Sequence, residues 1–252
     1  MNTKRYIFVL FMFWSCFSIG ADLSSYPQIP ESGGQNLHTN LLKEFEVELG
    51  KLKSTATRDK VFRRKNEELL SDLQKVSKRS KSGLTESQAQ DLNGFLIQHP
   101  IAGDQGIRKY SGKNSMLGFC FGRATLAHLE LLRRGVSPKD IRKIFVLGEM
   151  QYQKEIWELH VATVVKKADG GWWVLDGLFG KALELKEWYP QLLKIALSAK
   201  HPKIRIYVAD PVKFLPISGA YNKKEMLRAE YNGFFKDLSD WIESHPAKRV
   251  DI

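Results

Sequence analysis

The two cysteines of this 252-residue chain, Cys16 and Cys120, most strongly limit how its fold can be stabilised. Cys16 lies in residues 1–21, which have the order of a signal peptide: basic residues, an apolar run, then small residues. The segment contains Lys4 and Arg5, apolar residues from Tyr6 to Trp14, then Ser18, Gly20 and Ala21. Once it is removed, no intramolecular disulfide can form. A packed apolar core must therefore hold the fold.

The same segment predicts where the protein works. Its apolar run is shorter than the roughly 20 residues that a membrane-spanning helix needs. We therefore expect an exported protein, periplasmic or secreted, without stable membrane insertion after signal removal. A lipid anchor on Cys16 is the alternative, although the bulky Trp14 stands where such processing sites have a small residue. We expect the mature chain to be a monomer with one main core.

The formal net charge of the chain is +11, which favours acidic partners. A solvated basic surface is a simpler interpretation of the same charge. The basic residues are interleaved with acidic ones, and no nucleic-acid recognition motif accompanies them. We therefore expect no nucleic-acid partner.

Residues 22–105 predict a linker followed by a helical region. Prolines and glycines between Tyr26 and Gly34 indicate an extended linker. Apolar residues between positions 37 and 80 recur at helical spacing, which indicates a helical hairpin, and Thr85 opens a capping-box-like start of another helix. The basic run at Arg63 indicates either a solvated helix surface or a cleavage site for a removable pro-segment.

Residues 106–252 combine helices with strands, which predicts an α+β domain. We predict helices over 119–134 and 223–243 from their apolar periodicity. Strands are predicted over 141–147, 157–167, 171–178 and 204–209.

Cys120 stands where a glycine-containing loop enters the first of these helices. Unpaired N–H groups and the positive end of the helix dipole stabilise a thiolate there, and the thiolate is the attacking form of cysteine. The same N–H groups can stabilise the oxyanion that forms on a substrate carbonyl. A buried, inert cysteine is the alternative, but a lone thiol in an oxidising compartment is open to oxidation, and its presence favours a functional role.

A nucleophilic thiol needs a base, and His160 lies in a β-branched strand that fixes an imidazole well. The next strand ends at Asp176, and the glycines between the two strands indicate a hairpin. In a three-residue loop, Ala168 to Gly170, position 162 faces position 176, and His160 and Asp176 lie diagonally on one face. Such neighbours are about 7–8 Å apart. A two-residue loop would place them on opposite faces.

The sequence offers a few further candidate site residues. His128 is roughly 12 Å along the helix from Cys120, too far to act as its base. Asn114 is a candidate oxyanion donor or a loop cap. Trp172 and Trp173 alternate faces, and Trp173 is the candidate to line a substrate groove, with the core as the alternative. Because no residues have metal-ligand or phosphate-loop spacing, we expect no metal and no cofactor.

Three motifs carry a resemblance: Cys120-Phe-Gly-Arg123-Ala124, His160-Val-Ala and Trp172-Trp-Val-Leu-Asp176. Through them the chain resembles the transglutaminase-like thiol enzymes, and most closely the bacterial protein-glutaminase (protein-glutamine deamidase) family, over about residues 106–216. The resemblance implies a transglutaminase/papain-like core, with a nucleophile helix packed on a small antiparallel sheet, here after an N-terminal helical segment. It implies that Cys120 is the nucleophile, His160 the general base and acid, and Asp176 its orienting partner. Relatives often carry a pro-region, to which residues 22–105 would correspond.

The motifs and the resemblance together predict a Cys-His-Asp enzyme, with residues 106–252 as the catalytic domain, that hydrolyses glutamine side-chain amides in proteins or peptides. Capture of the same acyl-enzyme by an amine would make it a transglutaminase. Cleavage of peptide bonds would make it a cysteine peptidase acting on protein or cell-wall peptides. The non-enzymatic alternative is a periplasmic binding protein on a degenerate transglutaminase-like fold.

Overall fold

The structure, a computed structural model, describes residues 40–52, 54–110, 120–152, 155–196, 204–216, 221 and 223–245. This part of the chain has an α+β fold built on a five-stranded antiparallel sheet with the order β4-β3-β2-β1-β5. The strands are β1 (Ile141–Tyr152), β2 (Glu155–Lys166), β3 (Trp172–Leu175), β4 (Leu183–Glu184) and β5 (Arg205–Ala209). The helices are α1 (Leu41–Lys51), α2 (Thr55–Lys75), α3 (Glu86–Gln98), α4 (Cys120–Arg133), α5 (Leu185–Ile195), α6 (Lys223–Met226) and α7 (Phe234–Ser244).

The first three helices each begin at a capping residue that is visible in the sequence. The side chains of Asn40 and Ser54 cap α1 and α2 by accepting hydrogen bonds from backbone N–H groups. At α3, Thr85 and Gln88 form the reciprocal capping box. The two helices expected between positions 37 and 80 are confirmed over the described residues, and so is the helix after Thr85.

The sheet separates two apolar cores, because residues along each strand alternate between its faces. The α4 face carries Phe145, Val161 and Trp173 and is covered by α1, α3, α4 and α7. The α5 face carries Val164 and Trp172 and is covered by α5 and the second half of α2. The expectation of one main core is therefore wrong, since the sheet divides the apolar interior in two.

Residues 40–105 belong to both cores. Side chains of α1 and α3 enter the core on the α4 face, and α2 contributes to both. The indole N–H groups of Trp172 and Trp173, in β3, donate to the backbone carbonyls of Leu73 (2.9 Å) and Leu84 (3.1 Å). The domain boundary expected near residue 105 coincides with no break in this packing.

The hairpin of β2 and β3 has the register that the three-residue loop predicts. Lys166 lies opposite Trp172 and Thr163 opposite Leu175, so position 162 corresponds to position 176. Gly170 has a φ of 103°, in the left-handed region that favours glycine. His160 and Asp176 therefore project from the same face, the α5 face.

Several elements differ from the predictions. The strand expected over 171–178 ends at Leu175, because a 3-10 turn follows at Gly177–Phe179, and the short strand β4 was not predicted. β1 runs five residues further than expected, through a bulge beside Gly148, whose φ is 128°. The continuous C-terminal helix is wrong, because Asn232 and Gly233 take positive φ values of 47° and 79° and separate α6 from α7. Helix α5 was not predicted, and Pro190 lies inside it. Among the described residues, no helix has the length and apolarity to cross a membrane.

Candidate active site

The candidate site lies at an opening in the sheet. β3 ends at Leu175, opposite Thr163, whereas β2 extends back to Glu155. Among the described strands, none pairs with this side of β2 before Thr163. We call this unpaired stretch of β2 the notch. At the notch, side chains from the α4 face and the α5 face can meet.

His160 and Asp176 form a buried pair beside the notch. His160 Nε2 and Asp176 Oδ2 are 2.8 Å apart. Their side chains are 7% and 3% exposed. The diagonal arrangement predicted from the hairpin is thus present as a direct hydrogen bond.

Asp176 ends β3 because its side chain caps the next turn. Its Oδ1 accepts the backbone N–H of Leu178 at 3.1 Å, in the 3-10 turn Gly177–Phe179. Its Oδ2 also accepts the indole N–H of Trp188, in α5, at 2.8 Å. Burial favours the neutral acid, but the charge and hydrogen bond of His160, with these two donors, hold the pKa of Asp176 below its ordinary value. Asp176 is therefore ionised at neutral pH.

Cys120 reaches the notch from the α4 face. It is the first described residue of α4, which packs on β2 and whose Ala124 carbonyl accepts the hydroxyl of Thr163 at 2.8 Å. The Cys120 thiol is free and half-buried. It donates to the backbone carbonyl of Leu159, with Sγ and O 3.9 Å apart. That carbonyl lies on the notch, one residue before His160.

The charges around His160 favour its protonated form. Burial lowers the pKa of His160, but the charge and hydrogen bond of Asp176, followed by the hydrogen bond and charge of Cys120, raise it from 6.5 to about 10. Because Nε2 is taken by Asp176, Nδ1 is the ring nitrogen left for a second partner of His160. The structure thus brings Cys120, His160 and Asp176 together in one cluster.

Arg123, one helical turn after Cys120, ties α4 to the surrounding loops. Its Nε donates to the carbonyl of Ala102 at 2.9 Å, and its Nη2 donates to Asp104 at 2.6 Å. Its Nη1 lies 3.1 Å from where a Cβ on Gly177 would stand. Glycine at position 177 therefore leaves room for the guanidinium beside the turn that Asp176 caps.

The two further candidates have different outcomes. Asn114 lies outside the described residues. Trp173 is 5% exposed, packs in the core on the α4 face and donates its indole N–H to Leu84. Its assignment to a substrate groove is therefore corrected to a core role, because the strand turns its ring away from solvent.

Trp188 is the site residue that the sequence reasoning missed. The available signal was the helical spacing of Leu185, Trp188, Tyr189, Leu192 and Ile195, all buried in α5. Pro190 obscured it, since proline ordinarily interrupts a helix. Within the described ranges, no group of three or more His, Cys, Asp or Glu side chains could hold a metal ion.

No protein-family model, no curated protein and no solved structure matches this chain. The case for a function therefore depends on the geometry around Cys120 and on the short motifs that contain the three residues.

Proposed function

We propose that this protein is an exported thiol enzyme that hydrolyses glutamine side-chain amides in proteins or peptides. The observation that carries the proposal is the buried His160–Asp176 pair, 2.8 Å apart, with the Cys120 thiol beside it at the notch. A buried ion pair is costly when it serves stability alone. A raised pKa on His160, with a thiol as a second partner, is instead typical of an activated cysteine nucleophile.

In the first half-reaction, the Cys120 thiolate attacks the carbon of the side-chain amide. The C–N bond then breaks, and the imidazolium of His160 gives its Nδ1 proton to the departing nitrogen, which leaves as ammonia. In the second half-reaction, neutral His160 takes a proton from water while the water oxygen attacks the thioester carbon. The C–S bond breaks, a glutamate side chain is released, and the thiolate–imidazolium pair is restored.

The choice of glutamine amides rests on the resemblance of the three motifs to the protein-glutaminase family. The half-buried thiol supports an acyl group delivered on a projecting side chain, because only part of Cys120 is open to solvent. The export of the chain is part of the proposal and rests on the order of residues in positions 1–21.

The proposal is tested by ammonia release from casein and from a glutaminyl peptide, with the signal-free chain and its Cys120→Ser variant. We expect ammonia release by the wild type and its loss in the variant, with an asparaginyl peptide as the substrate control. Incorporation of a labelled amine without net hydrolysis would favour a transglutaminase, and new peptide termini would favour a peptidase. Absence of all three products would leave the binding-protein hypothesis.

A further inference from the structure

The enclosed carboxylate of Asp176 has a third partner that the proposed mechanism does not use. We infer that Trp188 is a positioning residue: its indole N–H holds Asp176 as an ionised acceptor, so that Asp176 keeps His160 Nε2 and leaves Nδ1 for Cys120. The catalytic role of Trp188 rests on the proposed function, whereas the hydrogen bonds around Asp176 do not depend on it.

The hydrogen bonds fix the plane of the Asp176 carboxylate. Trp188 Nε1 and His160 Nε2 both lie 2.8 Å from the same oxygen, Oδ2. The other oxygen, Oδ1, is held by the backbone N–H of Leu178. With one backbone donor and two ring donors, rotation of the carboxylate would break at least one bond.

An indole suits this position because it is a donor only. A hydroxyl, amide or imidazole at position 188 could also accept a hydrogen bond from a protonated Asp176. Trp188 offers no lone pair for such a bond, so it favours the ionised form of Asp176. The side chain is 0% exposed, and water therefore cannot take its place.

Trp188 is itself fixed by the core. Its helix, α5, buries Leu185, Leu192 and Ile195 against the α5 face. The indole is thus held from the side opposite to α4, which carries the nucleophile. Helix α4 supplies Cys120, and helix α5, through Trp188 and Asp176, sets the orientation of His160.

Trp172 is a matched control. It lies in the same core as Trp188 and is 2% exposed. Its indole N–H also makes one hydrogen bond, at 2.9 Å, but to the neutral carbonyl of Leu73. Replacing either tryptophan with phenylalanine removes one indole N–H from the same core, and only one of the two changes touches Asp176.

The test is a pH titration of the full signal-free chain, Trp188→Phe and Trp172→Phe by NMR, following the Asp176 carboxyl carbon and the His160 ring nitrogens. A hydrogen bond to a charged group is worth enough that its loss should move the Asp176 titration upward by roughly one pH unit. We expect this shift in Trp188→Phe. The pH below which the His160–Asp176 ion pair is lost should rise by the same amount. Trp172→Phe should titrate like the wild type.

Equal shifts in both variants, or none in Trp188→Phe, would overturn the inference. If Trp188→Phe does not fold, the wild type decides the question: the indole N–H resonance of Trp188 should titrate with Asp176, while that of Trp172 should not. A Trp188 resonance indifferent to the Asp176 titration would also refute the inference. Neither readout needs a substrate, so a chain that releases no ammonia can still support it.

Discussion

Two buried histidines in this molecule have pKa values that are shifted in opposite directions. His160, in β2, and His128, in α4, are 5% and 0% exposed. The pKa of His160 is raised to about 10 by Asp176 and Cys120 against the effect of burial. The pKa of His128 is well below its ordinary value, because burial and the nearby charge of Lys143 both lower it. Among the described residues, neither ring nitrogen of His128 has a hydrogen-bond partner.

The surroundings of His128 explain the difference. Lys143 is fully buried on the α4 face, where it donates to the carbonyl of Lys213 at 3.1 Å and to the hydroxyl of Tyr221. Burial holds the pKa of Lys143 well below its ordinary value, although the charge of Asp210 opposes this. Burial therefore disfavours the charged forms of His128 and Lys143, whereas a bonded carboxylate favours the charged form of His160. The comparison teaches that a bonded counter-charge, rather than depth, sets the direction in which the pKa of a buried histidine shifts.

The largest expected effect separates the two histidines directly. In His160→Gln, ammonia release should fall by about 10⁵–10⁶-fold, the loss typical of removing a triad histidine. In His128→Gln, the rate per folded molecule should change by less than about threefold, because this residue lies roughly 12 Å along α4 from Cys120. Thiol alkylation near pH 6 provides a second readout with the same expected ranking. Equal losses in the two variants would contradict the assignment of His160 as the base.

The next effect concerns the carboxylate. Asp176→Asn should lower the rate by about 10⁴-fold, because an amide fixes the wrong imidazole tautomer and removes the counter-charge. Asp140→Asn is the matched control: Asp140 is also buried, accepts Ser82 at 2.6 Å and pairs with Lys166 at 2.9 Å, outside the site. We expect this control to lose stability and retain its rate. A similar rate loss in both would mean that Asp176 acts through folding alone.

The two clusters should also affect the pH dependence of stability in opposite directions. The stabilisation from His160 is fully present below pH 6.5 and is lost as the pH rises toward about 10, because its folded pKa is raised. Burial lowers the pKa of Lys143 in the folded protein, so the destabilisation that comes from burying this residue falls as the pH rises toward 10.5, where the unfolded lysine also loses its proton.

In the wild type, His160 should make the free energy of unfolding fall between about pH 7 and 10, and Lys143 should make it rise. His160→Gln should therefore remove the fall, and Lys143→Met should remove the rise. Each effect is expected as a change in the slope of the free energy of unfolding against pH. Urea unfolding at a series of pH values measures both. Slopes that change in the same direction would show that the two clusters are not opposed.

The smallest effect tests the helix that carries both Cys120 and His128. A Cβ on Gly122 would stand 2.6 Å from ring atoms of Phe234, so Gly122→Ala should destabilise the protein by about 1–3 kcal/mol. Gly94→Ala, in α3, meets nothing within 4 Å and should stabilise the protein by about 0.5–1 kcal/mol. Thermal unfolding distinguishes the two. A neutral Gly122→Ala would show that Phe234 yields at little cost.

The parts of the fold that the sequence predicted depend on local chemistry. Thr85 and Gln88 are three residues apart, so their capping box is visible in the sequence. The glycines after β2 indicate a hairpin, and the three-residue loop, one of the two lengths that the sequence left open, gives the register that pairs His160 with Asp176. Both signals act within a few residues and do not require knowledge of the tertiary fold.

Most of the missed parts depend on long-range packing. The break at Asn232 and Gly233 is an exception, because Asn-Gly is a turn signal and both residues tolerate positive φ, but the apolar spacing over 223–243 was given more weight. Trp173 and Trp172 look equivalent in sequence, and their cores are distinguished only by the helices on each face. Trp188 meets Asp176 because α5 folds onto the sheet, which no local pattern specifies.

The indole bonds of β3 also bear on how this chain reaches its native state. Trp172 and Leu73 are 99 residues apart in sequence, and Trp173 and Leu84 are 89 apart. Contacts of such separation close long loops and form slowly compared with helices and hairpins. The two indole hydrogen bonds of β3, the strand that ends at Leu175, therefore require that the segments carrying Leu73 and Leu84 have docked on the sheet. Under the proposed function, the Cys120 thiol would then be activated only late in folding, after residues 40–105 have packed on the sheet.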